Sequence, residues 1–401
     1  MQPWQRTLYV LWATEFLLMA GMNLVIPFLP LYIHGLGVRS TADVERWTGL
    51  VFSASYMVST FVQPLWGRLA DRYGRRVMLL RSSIGMGVLM ASMGLVTSVW
   101  QLFLLRALMG SVAGFISAAT ALQATQTPSE SAGRALGTLQ TGAVTGGLIG
   151  PFVGGVLAEW MSLRHVFFVT GGLMLMATVL VVLFVREEYK PDARAAGVDT
   201  KSFFDVIRRS GVVIPLFVVS LLLQTGYLAI EPIVTLYVRQ LSPLAPHLTT
   251  LAGATFAAVG VGNLISAPRL GRLADRIGPQ KVLLWSLVAA AVLYLPQAFA
   301  PSVYWLMGMR VLLGIAVGGL LPAVQAMIRR NTPPALQGRA FGYNSSFFMA
   351  GSLIGPLLGG FISASFSIPA IFFVTAALFG LNALWVQRSV IVAGGRLQTE
   401  S

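Results

Sequence analysis

The chain has 401 residues, of which 56% are hydrophobic and only 10% are charged, whereas soluble domains carry about a quarter charged residues. This composition excludes an ordinary soluble domain and indicates a chain that is embedded in the lipid bilayer. The net charge of +14 does not indicate nucleic-acid binding, because the basic residues separate apolar segments and form no single patch.

A membrane-spanning helix needs roughly 20 mainly apolar residues, and the apolar segments of this chain end at charged, proline or turn residues. They predict twelve transmembrane helices, at 8–33, 47–66, 77–97, 100–125, 136–159, 164–185, 212–238, 249–268, 281–299, 302–327, 340–364 and 368–387. We therefore predict an all-α integral membrane protein. It has an N-terminal six-helix half at 1–186, a polar cytoplasmic linker at 187–210 and a C-terminal six-helix half at 211–401.

The orientation follows from the lysines and arginines, which favour the cytoplasmic side of a membrane. If both termini are cytoplasmic, most of the 28 basic residues lie on that side. Only Arg39, Arg46, Arg164 and Arg239 then fall in outer loops. We expect a multi-pass protein of the inner cell membrane with both termini in the cytoplasm.

An internal repeat relates the two halves. The sequence GRLADRYG at 67–74 recurs as GRLADRIG at 271–278, and FFVT at 167–170 recurs at 372–375. Six predicted helices separate the copies, so both copies have the same orientation in the membrane. This indicates two pseudo-symmetric halves with a substrate site between them.

The sequence GRLADRYGRR at 67–76 resembles the signature of the major facilitator superfamily between helices two and three, and the resemblance covers essentially the whole chain. The second copy departs from it, with Pro279 and Gln280 in place of Arg75 and Arg76. Helix one, with Gly21, Pro27 and Pro30, looks like the twelve-helix drug–proton antiporter branch of that superfamily. The resemblance implies the fold predicted above and a transport function.

The signature predicts a conformational latch on the cytoplasmic side. A carboxylate near the start of a helix is favoured by about 0.3–1 kcal/mol, and helix eleven starts on this side. Asp71 would meet it, assisted by Arg72 and Arg75 and by Asp275 of the second copy. The alternative is a solvated loop charge that only sets topology.

Helices five and eleven each carry glycines at four-residue spacing, followed by a proline, and resemble the antiporter motif of the superfamily. Small residues at this spacing allow another backbone to approach closely. We predict that these residues are packing residues on which the halves rock, and not ligands: Gly146, Gly150, Pro151, Gly154, Gly355, Pro356 and Gly359.

Charged residues inside predicted spans are candidates for proton coupling, since an intramembrane charge is costly. Arg106 matches the helix-four motif whose arginine is proposed to take part in proton transfer, and Arg310 is its repeat counterpart. A snorkelling anchor is the alternative for both. Glu15 and Glu231 are the carboxylates inside spans. A purely structural hydrogen bond is the alternative for each.

Glu231 is the stronger of the two acids because Gln224 and Tyr227 share its helix face. Its surroundings also resemble the membrane-embedded glutamate of helix seven in several multidrug antiporters. Further polar and aromatic residues complete a predicted substrate cavity: Asn23, Gln123, Gln140, Gln224, Tyr227, Gln325, Asn344 and Phe348. An apolar cavity with few polar groups and one acid suits amphipathic, often cationic, molecules.

The leading hypothesis is a proton-coupled antiporter that exports small lipophilic or amphipathic compounds by alternating access, as in multidrug efflux. An exporter of one metabolite, sugar or lipid remains the alternative. No lysine follows a glycine, which disfavours an ATP-driven pump, and no catalytic cluster indicates an enzyme. We expect a monomer in the bilayer, with no metal, no cofactor beyond the proton gradient and no nucleic-acid partner.

Overall fold

The computed structural model describes residues 2–128, 130–187, 207 and 211–392, without the side chains of 64, 67, 68, 71, 335 and 392. Within these residues the chain is helical and has no β-strand. Twelve helical segments have both ends among the described residues: α1 Pro3–Gly35, α2 Thr41–Tyr73, α3 Arg75–Met93, α4 Val99–Gln126, α5 Ala132–Trp160, α6 Leu163–Phe184, α7 Val213–Leu241, α8 Leu248–Ile277, α9 Pro279–Phe299, α10 Val303–Arg330, α11 Gln337–Ser365 and α12 Ile368–Ile391.

The predicted all-α membrane fold is confirmed. Ten of the described segments are long and apolar enough to cross a membrane, and α2 and α3 are not among these ten. Many exposed side chains are large and apolar, such as Phe61, Trp160 and Tyr304. Such a surface suits helices whose outer faces contact lipid.

The junction between α2 and α3 differs from the prediction. The signature at 67–76 was expected to form a loop, but α2 continues to Tyr73 and α3 begins at Arg75. Gly74 alone joins them, with φ +88°, a conformation that glycine adopts without a steric penalty. Gly278 makes the same junction between α8 and α9, with φ +96°. The two copies of the repeat therefore share this backbone conformation as well as their sequence.

Several segments that the sequence predicts as continuous are interrupted. α1 has an irregular turn at 25–28 around Pro27, and α7 is interrupted at 231–233 around Pro232. Proline lacks the N–H that would continue the helical hydrogen bonds. α4 is interrupted before Gly114, whose φ is +122°, and α10 between Val317 and Leu320.

A helix end leaves its last carbonyl groups without helical partners, and side chains of α2 and α3 bond to three carbonyl groups at the interruption of α4. The Trp66 indole donates to the Ser111 carbonyl at 2.6 Å. The Ser82 hydroxyl donates to the Val112 carbonyl at 2.5 Å, and the Arg81 guanidinium to the Ala113 carbonyl at 3.0 Å. The irregular backbone is thus satisfied inside the protein, as a bilayer requires.

The chain divides into two compact units. Unit 1 comprises Met1–Ser40, Leu50–Ala195 and Ala245–Ala257, and unit 2 comprises Thr41–Gly49, Ala196–Leu244 and Ala258–Ser401. The first residues of α2 therefore belong to unit 2, and the first residues of α8 belong to unit 1.

In unit 1, α1 packs on α5 along a row of glycines that we call the glycine seam. A Cβ atom built at Gly146 would lie 2.5 Å from the Phe16 carbonyl oxygen, which is closer than real atoms approach. The seam repeats every four residues, with Gly142, Gly146, Gly150 and Gly154 opposite the carbonyl oxygens of Trp12, Phe16, Ala20 and Leu24. Pro151 lies on another face of α5, where its carbonyl meets Gly253 of α8.

Unit 2 contains the same arrangement between α7 and α11. Gly351, Gly355 and Gly359 face the carbonyl oxygens of Leu221, Thr225 and Ala229. Beside this row, the Pro356 carbonyl meets Gly49 at the start of α2. In both units, the glycine signature brings one helix backbone close to two others.

Candidate transport site

Glu231 lies at the interruption of α7. The helix is regular from Val213 to Ile230 and resumes at Val234. The sequence predicts Glu231 inside a continuous helix, whereas it is the first residue after the regular part and is half-buried. Unwound backbone at membrane depth occurs in transporters where it lines a cavity or a binding site.

Four ionisable groups surround this interruption in unit 2. The Arg310 guanidinium interacts electrostatically with the Glu231 carboxyl and with the phenols of Tyr227 and Tyr294. Arg310 is 5% exposed and Tyr294 is 2% exposed. Arg310 is therefore enclosed by neighbouring residues of the protein. The sequence singled out Glu231, Tyr227 and Arg310 separately, but Tyr294 gave no recognisable signal.

Two predicted cavity residues of unit 2 form hydrogen bonds between α7 and α11. The Gln224 amide donates to the Ser352 hydroxyl at 3.1 Å, and the Ser220 hydroxyl donates to Asn344 at 2.7 Å. Both amides therefore also hold the helix pair together. Other predicted residues differ in exposure: Phe348 is half-buried and Gln325 is exposed.

Arg106 is the corresponding buried charge of unit 1. It is 6% exposed, and its guanidinium carbon lies 5.9 Å from the centre of the Phe52 ring. The Tyr56 phenol also interacts with it electrostatically. Its Nε and Nη2 atoms have no hydrogen-bond partner among the described residues. Such a group is costly to bury, and a polar ligand could satisfy it.

Glu15 is a second buried ionisable residue of unit 1. It is 1% exposed, and neither of its carboxyl oxygens has a hydrogen-bond partner among the described residues. The predicted cavity residues of this unit are placed differently. Asn23 bonds to the Met19 carbonyl within α1, Gln123 bonds to Thr127 and to the Trp4 carbonyl, and Gln140 is exposed.

The predicted latch residues lie where α2 meets α3 and where α8 meets α9. The Asp71 side chain lies outside the described residues. Arg72 is exposed and stacks on Tyr73 at 5.4 Å. Arg75 donates to the Thr125 hydroxyl at 3.2 Å. Asp275 is exposed and lies 4.0 Å from Arg330, a separation at which an exposed ion pair contributes little.

Two further acids escaped the sequence predictions. In unit 1, Glu159 of α5 accepts hydrogen bonds from the backbone N–H of Thr250 at 3.0 Å and from His247 at 2.8 Å. In unit 2, Glu45 of α2 is 4% exposed and hydrogen-bonds to Ser363 of α11. The internal repeat relates α5 to α11 and α8 to α2, so the α5–α8 contact corresponds to the α11–α2 contact. The acid lies on α5 in unit 1 and on α2 in unit 2. Glu159 is the last residue of the predicted span 136–159, and Glu45 lies just before the predicted span 47–66, so neither stood out as a charge inside a span.

Interrupted helices with buried charges beside the interruptions, in a largely apolar all-helical chain, define a membrane transporter. The family model of the Major Facilitator Superfamily matches residues 11–251 and 241–393. The chain belongs to this superfamily. Among the described residues, no three His, Cys, Asp or Glu side chains converge as a metal site would require.

Curated relatives match nearly the full length. The chain is 44% identical over 387 residues to "Multidrug resistance protein MdtG" of Enterobacter lignolyticus (strain SCF1), covering 96% of this chain and 93% of that one. It is 41% identical over 383 residues to the protein of the same name from Proteus mirabilis (strain HI4320), covering 95% of each.

Solved structures share the fold at low sequence identity. A bacterial homolog of the human lysosomal transporter Spinster superposes with a TM-score of 0.81 at 13% identity, over 96% of each chain. The nucleoside transporter NupG (D323A mutant) superposes with a TM-score of 0.78 at 12% identity, over 97% of this chain and 100% of that one. At such identities the likeness concerns the fold alone.

Proposed function

We propose that this protein is a proton-coupled exporter of small lipophilic or amphipathic compounds that works by alternating access. The full-length similarity to multidrug resistance proteins supports this substrate class. In this proposal the protein acts as a monomer in the inner cell membrane, with both termini cytoplasmic. The proton gradient is its only energy source, and it uses no other cofactor.

The observation that carries the proposal is the group around the interruption of α7. Glu231 is a carboxyl that can take up or release a proton, and the neighbouring Arg310 is a buried cation that interacts with it. Protonation of Glu231 would remove its attraction to Arg310. A cationic substrate would instead compete with the proton for the carboxylate. Such competition is what antiport requires.

Replacement of Glu231 by glutamine tests this role, because glutamine keeps the shape of the protonated acid but cannot release a proton. We expect Glu231→Gln to bind substrate and to lose uphill, pH-driven export in proteoliposomes. Purified protein should also lose proton release on addition of substrate. Asp43→Asn is the matched control, since Asp43 is 53% exposed and pairs with Arg46 of its own helix. Wild-type coupling in Glu231→Gln would contradict the proposal and make Glu15 or Arg106 the next candidate.

The substrate range separates this function from export of one metabolite, sugar or lipid. A panel of unrelated dyes and drugs should leave cells that express the protein, and an uncoupler should abolish this export. Export of a single compound from the panel would favour the specific exporter. Persistence of export with the uncoupler would contradict proton coupling.

A further inference from the structure

Glu187 forms an unexpected contact with the start of α3. The sequence predicts Glu187 as the first residue of a polar linker, but its carboxylate accepts hydrogen bonds from two backbone N–H groups. Arg75 donates to Oε1 at 3.0 Å, and Arg76 donates to Oε2 at 2.7 Å. These residues are the first two of α3. Glu187 therefore caps a helix that lies more than a hundred residues earlier in the chain.

The first turn of α3 needs such a partner. The first N–H groups of a helix have no acceptor within the helix, and a carboxylate there gains from both hydrogen bonding and the helix dipole. α3 has no acidic residue in its own first turn, and Gly74 before it has no side chain that could cap. Glu187 supplies the missing acceptor from the end of α6.

Neighbouring contacts join the same three helix ends. The Arg76 guanidinium donates to the Val182 carbonyl of α6 at 3.0 Å, and Arg75 donates to Thr125 of α4. The Gln126 amide donates to the Arg186 carbonyl at 2.8 Å. The starting turn of α3 is thus held against the final turns of α4 and α6.

The second copy of the signature starts its helix without one of these two N–H groups. Pro279 occupies the position of Arg75, as the first residue of α9. Proline has no N–H and suits the first position of a helix, so the acceptor that Glu187 gives to Arg75 is not required there. The preceding glycines have similar backbone angles, with φ +88° and ψ 158° at Gly74 and φ +96° and ψ 138° at Gly278. The departure from the family pattern at Pro279 is therefore an alternative way to start the same helix.

We infer that Glu187 is a positioning residue for transport: by capping α3, it sets the direction in which this helix leaves Gly74 and so holds the signature at 67–76 in place. This inference rests on the proposed function only through the importance of the signature for the transport cycle.

A double-mutant cycle tests the contact itself. Glu187→Ala is made in two backgrounds, Arg75→Ala, which keeps the N–H at position 75, and Arg75→Pro, which removes it. With Arg75→Ala, loss of the carboxylate should lower the Tm of the purified protein by about 2 °C or more. With Arg75→Pro the decrease should be about half as large, because only the Arg76 N–H loses its acceptor. Equal decreases in both backgrounds would overturn the capping role.

Spin labels measure the direction of α3 without any assumption about export. The chain has no cysteine, and Phe61 of α2 and Val88 of α3 are 78% and 51% exposed. Cysteines at these two positions report the geometry across Gly74. We expect Glu187→Ala to broaden or shift the distance distribution, and Glu187→Gln, which retains one acceptor oxygen, to have a smaller effect. An unchanged distribution in Glu187→Ala would overturn the positioning role.

Transport kinetics complete the test. Glu187→Ala should reduce turnover by about fivefold or more, since about fivefold is the change in an equilibrium expected from one hydrogen bond and Glu187 accepts two; KM for the exported dye should be unchanged. Glu187→Gln should recover part of the turnover. Unchanged turnover would overturn the inference. If the wild-type protein exports no dye, the proposed function fails, whereas the Tm and distance measurements still decide whether Glu187 positions α3.

Discussion

The glycine seam between α1 and α5 gives a prediction whose magnitude follows from the structure. An alanine at Gly146 would place its Cβ 2.5 Å from the Phe16 carbonyl oxygen and 2.8 Å from the Ala20 backbone nitrogen. Both are backbone atoms of α1 and cannot rotate away as the end of a side chain could, so α1 and α5 must move apart to accommodate the alanine. The adjacent Gly147 offers a matched control, since its nearest neighbour would be the Asn23 amide nitrogen at 3.8 Å, an ordinary contact.

Both substitutions gain the same helix propensity, about 1 kcal/mol, when alanine replaces glycine. Their difference therefore isolates the overlap, which typically costs about 1–3 kcal/mol for overpacking. We expect Gly146→Ala to unfold at a temperature lower than Gly147→Ala by about 2–4 °C for each kcal/mol. Fluorescence-monitored thermal unfolding in detergent measures both variants. Equal unfolding temperatures would show that the close approach of α1 and α5 does not constrain this position.

Three further outcomes are expected. Trp66→Phe removes the donor to the Ser111 carbonyl at the interruption of α4. It should lower the unfolding free energy by about 0.5–1.5 kcal/mol, measured by thermal unfolding. An unchanged unfolding temperature would mean that another group donates to that carbonyl. Glu15→Gln should leave the unfolding temperature unchanged or raise it, because the buried carboxyl has no described partner, and a clear decrease would reveal one. Leu244 is 94% exposed between α7 and α8, so a cysteine there should react with a membrane-impermeant maleimide from outside intact cells; protection from that side would reverse the proposed orientation.

The regular parts of the fold follow directly from the sequence. Apolar length predicts the helices, and the repeat of GRLADRYG predicts the two related halves. The interruptions do not follow as easily. Pro27 and Pro232 indicate bends, yet proline also occurs inside the continuous helices α5 and α11. Whether the helix breaks depends on which neighbouring groups accept or donate the freed hydrogen bonds.

The candidate site shows the same limit. Glu231 and Arg310 are recognisable because charge inside an apolar span is rare. Tyr294 is not, since tyrosine is common in membrane helices, and its role depends on how α9 packs beside Arg310 in three dimensions. Glu187 was missed for a related reason. Its partners are backbone N–H groups far away in the chain, which no local pattern reveals.

The four-residue period of the seam also limits how α1 can move. The glycines of α5 and the carbonyl oxygens of α1 that face them recur every four residues. A small translation of α1 along α5 would therefore bring other α5 residues, with their side chains, opposite these carbonyl groups. Only a displacement of four residues, about 6 Å at 1.5 Å per residue, would restore the match. Over Trp12–Leu24 we therefore expect the two helices to move together. The last matched carbonyl, that of Leu24, directly precedes the irregular turn around Pro27. We therefore expect α1 to stay closely packed on α5 up to that turn and any bend of α1 to begin there.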